Sequence, residues 1–235
     1  MNTIFEEKLR FSSGSLTLSG ILEYPEEAVV QRAVLLCSPH PHFAGNMDNN
    51  VISAVSKQFA QDSAVLRFDY RGVGQSQIHL PDGVSVFDYW DDIETTKDYS
   101  DALNDVHAAF KVLQECIDSL DVSAVLGGYS FGAAVVMKYG IDTGHGDILL
   151  GIAPPLGKID FEFLSQCQKP CLLLVGKEDF LYSADKVDTL RTTVSKHVTI
   201  EVIEKCDHFF RGDEETIAQM VRNFVLKHTI NMETT

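Results

Sequence analysis

The sequence has no apolar run approaching the roughly 20 residues needed to cross a bilayer. Residues 1–20 carry Glu6, Glu7, Lys8 and Arg10 and hold no apolar stretch of signal-peptide length. Membrane insertion is therefore not expected. Cations are scarce: 19 Lys and Arg stand against 34 Asp and Glu, a formal net charge of −15. A field of that sign repels phosphate backbones and anionic lipid, which argues against nucleic-acid partners. The five cysteines are odd in number, and Cys37, Cys116 and Cys206 lie in unrelated segments. Cys167 and Cys171 are spaced C-x3-C, but no second cysteine pair or nearby histidine completes a zinc site. Free thiols in a reducing cytosol are the expectation, and with them a cytoplasmic location. Repeats and low-complexity linkers are absent too. One domain over residues 1–235 follows, with a core large enough to need no disulfide or metal staple.

What is present is an alternation of short apolar, β-rich runs with longer helical patterns. Strands are expected at Glu6–Ser12, Leu16–Tyr24, Ala33–Cys37, Ala64–Asp69, Ala124–Tyr129, Ile148–Ala153, Cys171–Val175 and Val198–Ile203. The first two alternate around Ser13-Gly14 and read as an antiparallel hairpin at one edge. Leu103, Val106, Phe110, Leu113 and Ile117 recur at steps of three and four, as do Ile217, Met220, Val221, Phe224 and Val225. Further helices are compatible with residues 49–59, 132–140 and 184–194. This rhythm predicts an α/β fold, a mostly parallel eight-stranded sheet with helices on both faces. Residues 77–97 break it with a turn at Pro81-Asp82-Gly83, the aromatics Phe87, Tyr89 and Trp90, and a run of acids. A lid over an apolar pocket, a surface excursion and a dimer contact are all readings of that stretch.

An apolar strand runs directly into Gly128-Tyr129-Ser130-Phe131-Gly132, followed by small residues suited to a helix. G-x-S-x-G alone is a weak signal; between a strand and a helix it describes a sharp turn that lifts a serine hydroxyl clear of the backbone. The glycines remove side chains that would collide across that turn. The helix N-terminus aims N–H groups at developing negative charge, and the Phe131 amide becomes one oxyanion donor. The bland reading is a glycine-rich turn whose serine caps the helix.

A serine needs a base. Of His145, His197, His208 and His228, only His208 sits just after a late strand, in Cys206-Asp207-His208-Phe209-Phe210. An acid to orient it is expected at the C-terminal end of a buried strand, where ligand-facing groups of open α/β sheets gather, and Asp179 in Gly176-Lys177-Glu178-Asp179 meets that condition. Glu178 is its rival, and Asp207 adjoins the base. The loop Ser38-Pro39-His40-Pro41-His42-Phe43 follows the third strand and should donate a second oxyanion N–H. Pro41 has none, which points to His42, with Phe43 next. Reading His40-x-His42 as metal ligands lacks further ligands at a recognisable spacing.

Taken together, Ser38-Pro39-His40-Pro41, Arg71-Gly72-Val73-Gly74-Gln75-Ser76 and Asp207-His208-Phe209-Phe210 around the serine motif give the chain a family likeness. It resembles small α/β-hydrolase proteins related to dienelactone hydrolases and serine esterases, in particular a bacterial subgroup with a His-Pro-His-Pro opening. The likeness runs from about Ala33 to Phe210. It implies a hydrolase without cofactor, acting on a small-molecule ester or related acyl substrate. Ser38 stands where the subgroup opens with histidine, and Ala44-Gly45 where it has Gly-Gly. Dienelactone hydrolases proper use a cysteine nucleophile, so their substrate does not carry over to a chain with Ser130. The expected chemistry is acyl transfer through Ser130, Asp179 and His208. A non-catalytic small-molecule-binding or signalling protein on the same fold, and a peptidase or thioesterase using the same residues, are the alternatives.

Overall fold

The computed structural model describes residues 3–27, 29–117 and 122–232. Strands β1 (Ile4–Ser13) and β2 (Leu16–Pro25) form the expected antiparallel hairpin, turned by Gly14 at φ +59°. Then come β3 (Arg32–Cys37), α1 (Asn50–Phe59), β4 (Ala64–Phe68), α2 (Val86–Thr96) and α3 (Ser100–Glu115). The second half runs β5 (Ser123–Tyr129), α4 (Phe131–Thr143), β6 (Ile148–Ile152), β7 (Cys171–Gly176), α5 (Ala184–Thr193), β8 (Val198–Ile203) and α6 (Glu214–Met232). All eight expected strands form, with ends within two residues of expectation.

The sheet order is β1-β2-β4-β3-β5-β6-β7-β8. The first two pairings are antiparallel and the rest parallel. Strands β6 and β7 are buried along their whole length, which is why their sequences are continuous apolar runs. At the far edge β8 alternates half-buried and exposed residues. Helices cover both faces. Trp90, Phe110, Val136 and Leu190, from α2 to α5, pack on one face. Val55, Phe59, Val221 and Val225, from α1 and α6, pack on the other. Among the described residues, no helix is long and apolar enough to cross a membrane.

The stretch 77–97 is not a loop throughout. Its second half is helix α2, opened by a capping box in which Ser85 and Asp88 satisfy each other's backbone N–H groups. Trp90 is fully buried and its indole N–H donates to the Arg71 carbonyl at 3.3 Å, so α2 is anchored in the core. The Arg-Gly-Val-Gly segment has a structural use beside it. Gly74 sits at φ +55°, and a Cβ there would lie 2.3 Å from Asp69 Oδ2. Ser76 Oγ donates to the Asp69 carbonyl at 2.7 Å and accepts the Ser19 N–H at 2.9 Å, tying β2 to the exit of β4.

Candidate active site

The end of β5 meets the start of α4 at Ser130, which adopts φ +55° and ψ −118°. A serine at positive φ is strained and persists only where its surroundings hold it. Its N–H donates to the Ile152 carbonyl of the neighbouring strand at 2.8 Å. The flanking glycines permit the turn. A Cβ on Gly128 would lie 2.3 Å from the Gly132 carbonyl oxygen, and one on Gly132 would lie 2.3 Å from that of Cys37. The elbow thus packs backbone to backbone against the exit of β3.

Two later loops converge on the same rim. Asp179 follows β7 and His208 follows β8. These loops are clasped by the Glu178 N–H donating to the Cys206 carbonyl at 3.0 Å, and Gly176 has no room for a side chain against that same carbonyl. His208 Nδ1 lies 2.7 Å from Asp179 Oδ2, and its Nε2 lies 3.0 Å from Ser130 Oγ. The Asp179 carboxylate only accepts, so the proton between the first pair sits on Nδ1, which leaves Nε2 to accept the Ser130 hydroxyl. Asp179 Oδ1 accepts the Leu181 N–H at 2.7 Å, which fixes the carboxylate plane. The three side chains are each less than one-tenth exposed. The rival acids face elsewhere: Glu178 is exposed, and Asp207 Oδ1 accepts the N–H of Phe209.

The loop after β3 departs from expectation at His42. Its backbone N–H donates to His40 Nδ1 at 3.1 Å, because the His40 ring turns back to cap the short 3-10 turn Pro41–Phe43. The His42 side chain is occupied as well, with Nε2 2.7 Å from the Phe87 carbonyl and its ring stacked on Phe87 at 4.0 Å. The Phe43 N–H donates to the His40 carbonyl at 3.1 Å. Both amides expected as oxyanion donors, those of His42 and Phe43, are therefore engaged within the loop. The backbone N–H of His40, which sequence reasoning passed over, has no acceptor among the described residues and belongs to a residue of the cleft wall. The Phe131 N–H, at the first position of α4, is likewise without an acceptor there. The loop is held from below, since Asp69 Oδ1 accepts the Met47 N–H at 2.7 Å and Arg67 donates to the Met47 carbonyl at 2.9 Å.

Ser130 and His208 open onto a cleft of about 110 Å³. Phe131, Pro155, Ile159 and Leu181 give it apolar walls, and Glu94, Lys97 and Lys158 give it a charged side. Exposed Phe43, Phe180 and Phe209 stand at its mouth. Burial pushes the His40 imidazole down to about 4, against the opposing pull of Glu94, so this ring is neutral at ordinary pH. Among the described residues, no group of three His, Cys, Asp or Glu side chains could hold a metal ion.

No protein-family model matches the chain. The uncharacterized protein RP471 of Rickettsia prowazekii (strain Madrid E) is 31% identical to it over 201 residues, 82% of this chain and 77% of that protein. The chain belongs to the RP471 family. Among solved structures, this RP471-family chain is similar to an alpha-beta serine hydrolase homologue from Coxiella burnetii, with 25% identity and a TM-score of 0.76 over 92% of this chain and 96% of that one. XC6422 from Xanthomonas campestris, described as an a/b serine hydrolase without lid, superposes with a TM-score of 0.74 at 22% identity, covering 96% and 97% of the two chains. The dienelactone hydrolase-like promiscuous phosphotriesterase P91 from metagenomic libraries gives 0.70 at 14% identity, covering 94% and 98%. The RP471-family chain has the α/β-hydrolase fold and is a member of that superfamily.

Proposed function

We propose that the protein is a serine hydrolase that cleaves a small carboxylic ester or related acyl substrate through an acyl-enzyme intermediate. The observation that carries this reading is the continuous hydrogen-bonded line Asp179–His208–Ser130, 2.7 Å and 3.0 Å in its two steps, ending at a cleft. Such a line is what a hydroxyl of ordinary acidity needs to become a nucleophile.

In this mechanism Ser130 Oγ attacks the substrate carbonyl while its proton passes to His208 Nε2. The negative charge collects on the former carbonyl oxygen, between the N–H groups of Phe131 and His40. Neither amide has an acceptor among the described residues, and donors already oriented need no reorganisation as charge develops. Collapse expels the leaving group, which takes the proton from Nε2. Water then attacks the acyl-serine, delivers a proton to Nε2 and releases the acid as Ser130 recovers its hydrogen. Asp179 holds the imidazole tautomer and stabilises the imidazolium in both halves.

Incubation with a fluorophosphonate probe, followed by peptide mapping, tests the assignment. Label at Ser130, and loss of p-nitrophenyl butyrate turnover in Ser130→Ala, are the expected results. Label on another residue, or turnover retained in the variant, would count against it. A panel of matched ester, thioester and amide substrates then separates esterase from thioesterase and peptidase, because leaving-group choice is set by the cleft rather than by the three residues.

A further inference from the structure

The ring of His40 leaves one polar atom without a partner inside the cleft wall. Nδ1 accepts the His42 N–H, so the proton of the neutral ring is on Nε2. That N–H is buried and makes no hydrogen bond. Around it stand ring edges and faces: Phe131 at 4.9 Å between centroids, Trp90 at 5.5 Å and Phe43 at 6.3 Å. One acceptor is near, Glu94 Oε1 at 3.7 Å, beyond hydrogen-bonding reach. Glu94 is steered from its other side by Lys158, whose Nζ lies 3.4 Å from Oε2. Both His40 and Glu94 line the cleft onto which Ser130 opens.

Native proteins seldom leave a buried donor dry, and where they do a missing partner is the first explanation to consider. The pair offers a fixed donor and a fixed acceptor side by side. A carboxylate entering here would meet Glu94, and an ammonium would meet the Nε2–H. A hydroxyl at the apex of the pair satisfies both, accepting from Nε2–H and donating to the carboxylate. We propose that His40 and Glu94 form a subsite that selects substrates carrying a hydroxyl group. The inference rests on the serine-hydrolase reading and narrows its substrate class. A site built to bond a hydroxyl also rejects the analogue that lacks it, because its own polar groups are then left unpaired.

The test compares kcat/KM within matched ester pairs, one arm for each side of the scissile bond. On the acyl side, p-nitrophenyl 3-hydroxybutyrate is set against the butyrate, and the 6-hydroxyhexanoate against the hexanoate. On the alcohol side, 2-hydroxyethyl butyrate is set against propyl butyrate. Each ratio is measured in the wild type, His40→Asn and Glu94→Leu. An asparagine oxygen can take over the bond from the His42 N–H but ends short of Nε2, and Glu94, part-exposed, tolerates an apolar replacement.

The expected result is a preference of about tenfold for the hydroxylated member of at least one pair, falling to near unity in both variants. Ratios near unity in every wild-type pair, with the esters turned over, would overturn the proposal. So would a preference that survives both substitutions, or a stronger preference for p-nitrophenyl hemisuccinate, which would assign recognition to Lys158. Failure of the hydrolase reading looks different: no ester is turned over and fluorophosphonate leaves Ser130 unlabelled.

Discussion

Tyr129 Oη donates to the backbone carbonyl of His208 at 2.7 Å, so the strand that leads into Ser130 also holds the loop that carries His208. The tyrosine ring lies 5.6 Å from the imidazole between centroids, and both residues are buried. Tyr129→Phe keeps the ring and leaves the His208 carbonyl unpaired. The expected cost is about 1–2 kcal/mol of stability, read from urea denaturation. The His208 loop loosens with it, so kcat for an activated ester should fall several-fold with KM little changed. Unaltered kcat in a destabilised variant would show that the bond serves the fold alone.

Asp179→Asn addresses the proton rather than the packing. The amide NH2 can turn toward Nδ1 and force the imidazole proton onto Nε2, where it can no longer accept from Ser130. Turnover should drop by about four orders of magnitude while the denaturation midpoint moves little. A loss of tenfold or less would mean that Asp179 is not what orients His208.

The elbow leaves a geometric signature that mutation can read. A methyl on Gly132 would lie 2.3 Å from the Cys37 carbonyl oxygen and 2.5 Å from that of Ser38, and neither backbone atom can yield as a flexible side chain would. Gly132→Ala should therefore cost about 3 kcal/mol or more, or drive the chain into the insoluble fraction. Gly83→Ala is the control for a different problem. That glycine has open space around it but a φ of +83°, so its cost should be about 1 kcal/mol, from backbone strain alone. Equal costs at the two positions would refute the packing argument.

The parts of this molecule legible from sequence are those fixed by local pattern. Cys171–Val175 reads as a strand because a strand buried on both faces must be apolar throughout, and Leu103 to Leu113 reads as a helix because its stripe repeats. Helix α2 has only a short stripe, Val86, Tyr89, Trp90 and Ile93, with the first two half-buried, and it ends in a run of acids. Its start is marked by Ser85-x-x-Asp88, a capping box with aspartate where glutamate is usual. The choice between Glu178 and Asp179 turned on one residue's rotation in a turn, which no periodicity encodes. Whether the His42 amide is free depends on where a neighbouring ring folds, a tertiary fact.

Asp105 tests the Arg-Gly-Val-Gly segment as structure. This fully buried carboxylate accepts from Arg71 through Nε at 3.0 Å, Nη2 at 2.7 Å and the backbone N–H at 3.1 Å, and from Ser13 Oγ at 2.7 Å. Asp105→Ala leaves the buried Arg71 guanidinium only part-exposed Asp101 as an ion-pair partner, Oδ1 at 2.5 Å, and should cost about 3 kcal/mol. The double variant Asp105→Leu, Arg71→Met should be less destabilised than the sum of its single variants, since no fully buried charge is left unpaired and the released Asp101 is part-exposed. Additive costs in equilibrium unfolding would show that the two side chains act independently.

His40 supplies a pH dependence whose sign is fixed by its burial. Its folded-state value, about 4, lies below the ordinary value of 6.5. Between those two values the unfolded chain binds a proton that the folded chain does not, so stability rises with pH across the interval and is lost as pH falls through it. Above about 6.5 the ring is neutral in both states and adds no slope; below about 4 both states are protonated and the loss is complete. The whole span amounts to about 3 kcal/mol. Protonation would bring a cation beside Glu94, which opposes the shift, but Lys97, Lys158 and His42 push the other way and burial dominates. Comparing urea midpoints of the wild type and His40→Asn at pH 7.5, 6.0, 5.0 and 4.5 isolates this residue, because every other titrating group is common to both proteins. The wild type should lose stability relative to the variant on acidification, most steeply between pH 6 and 4.5. Parallel profiles would mean that the His40 ring takes up its proton as freely in the folded chain as in the unfolded one.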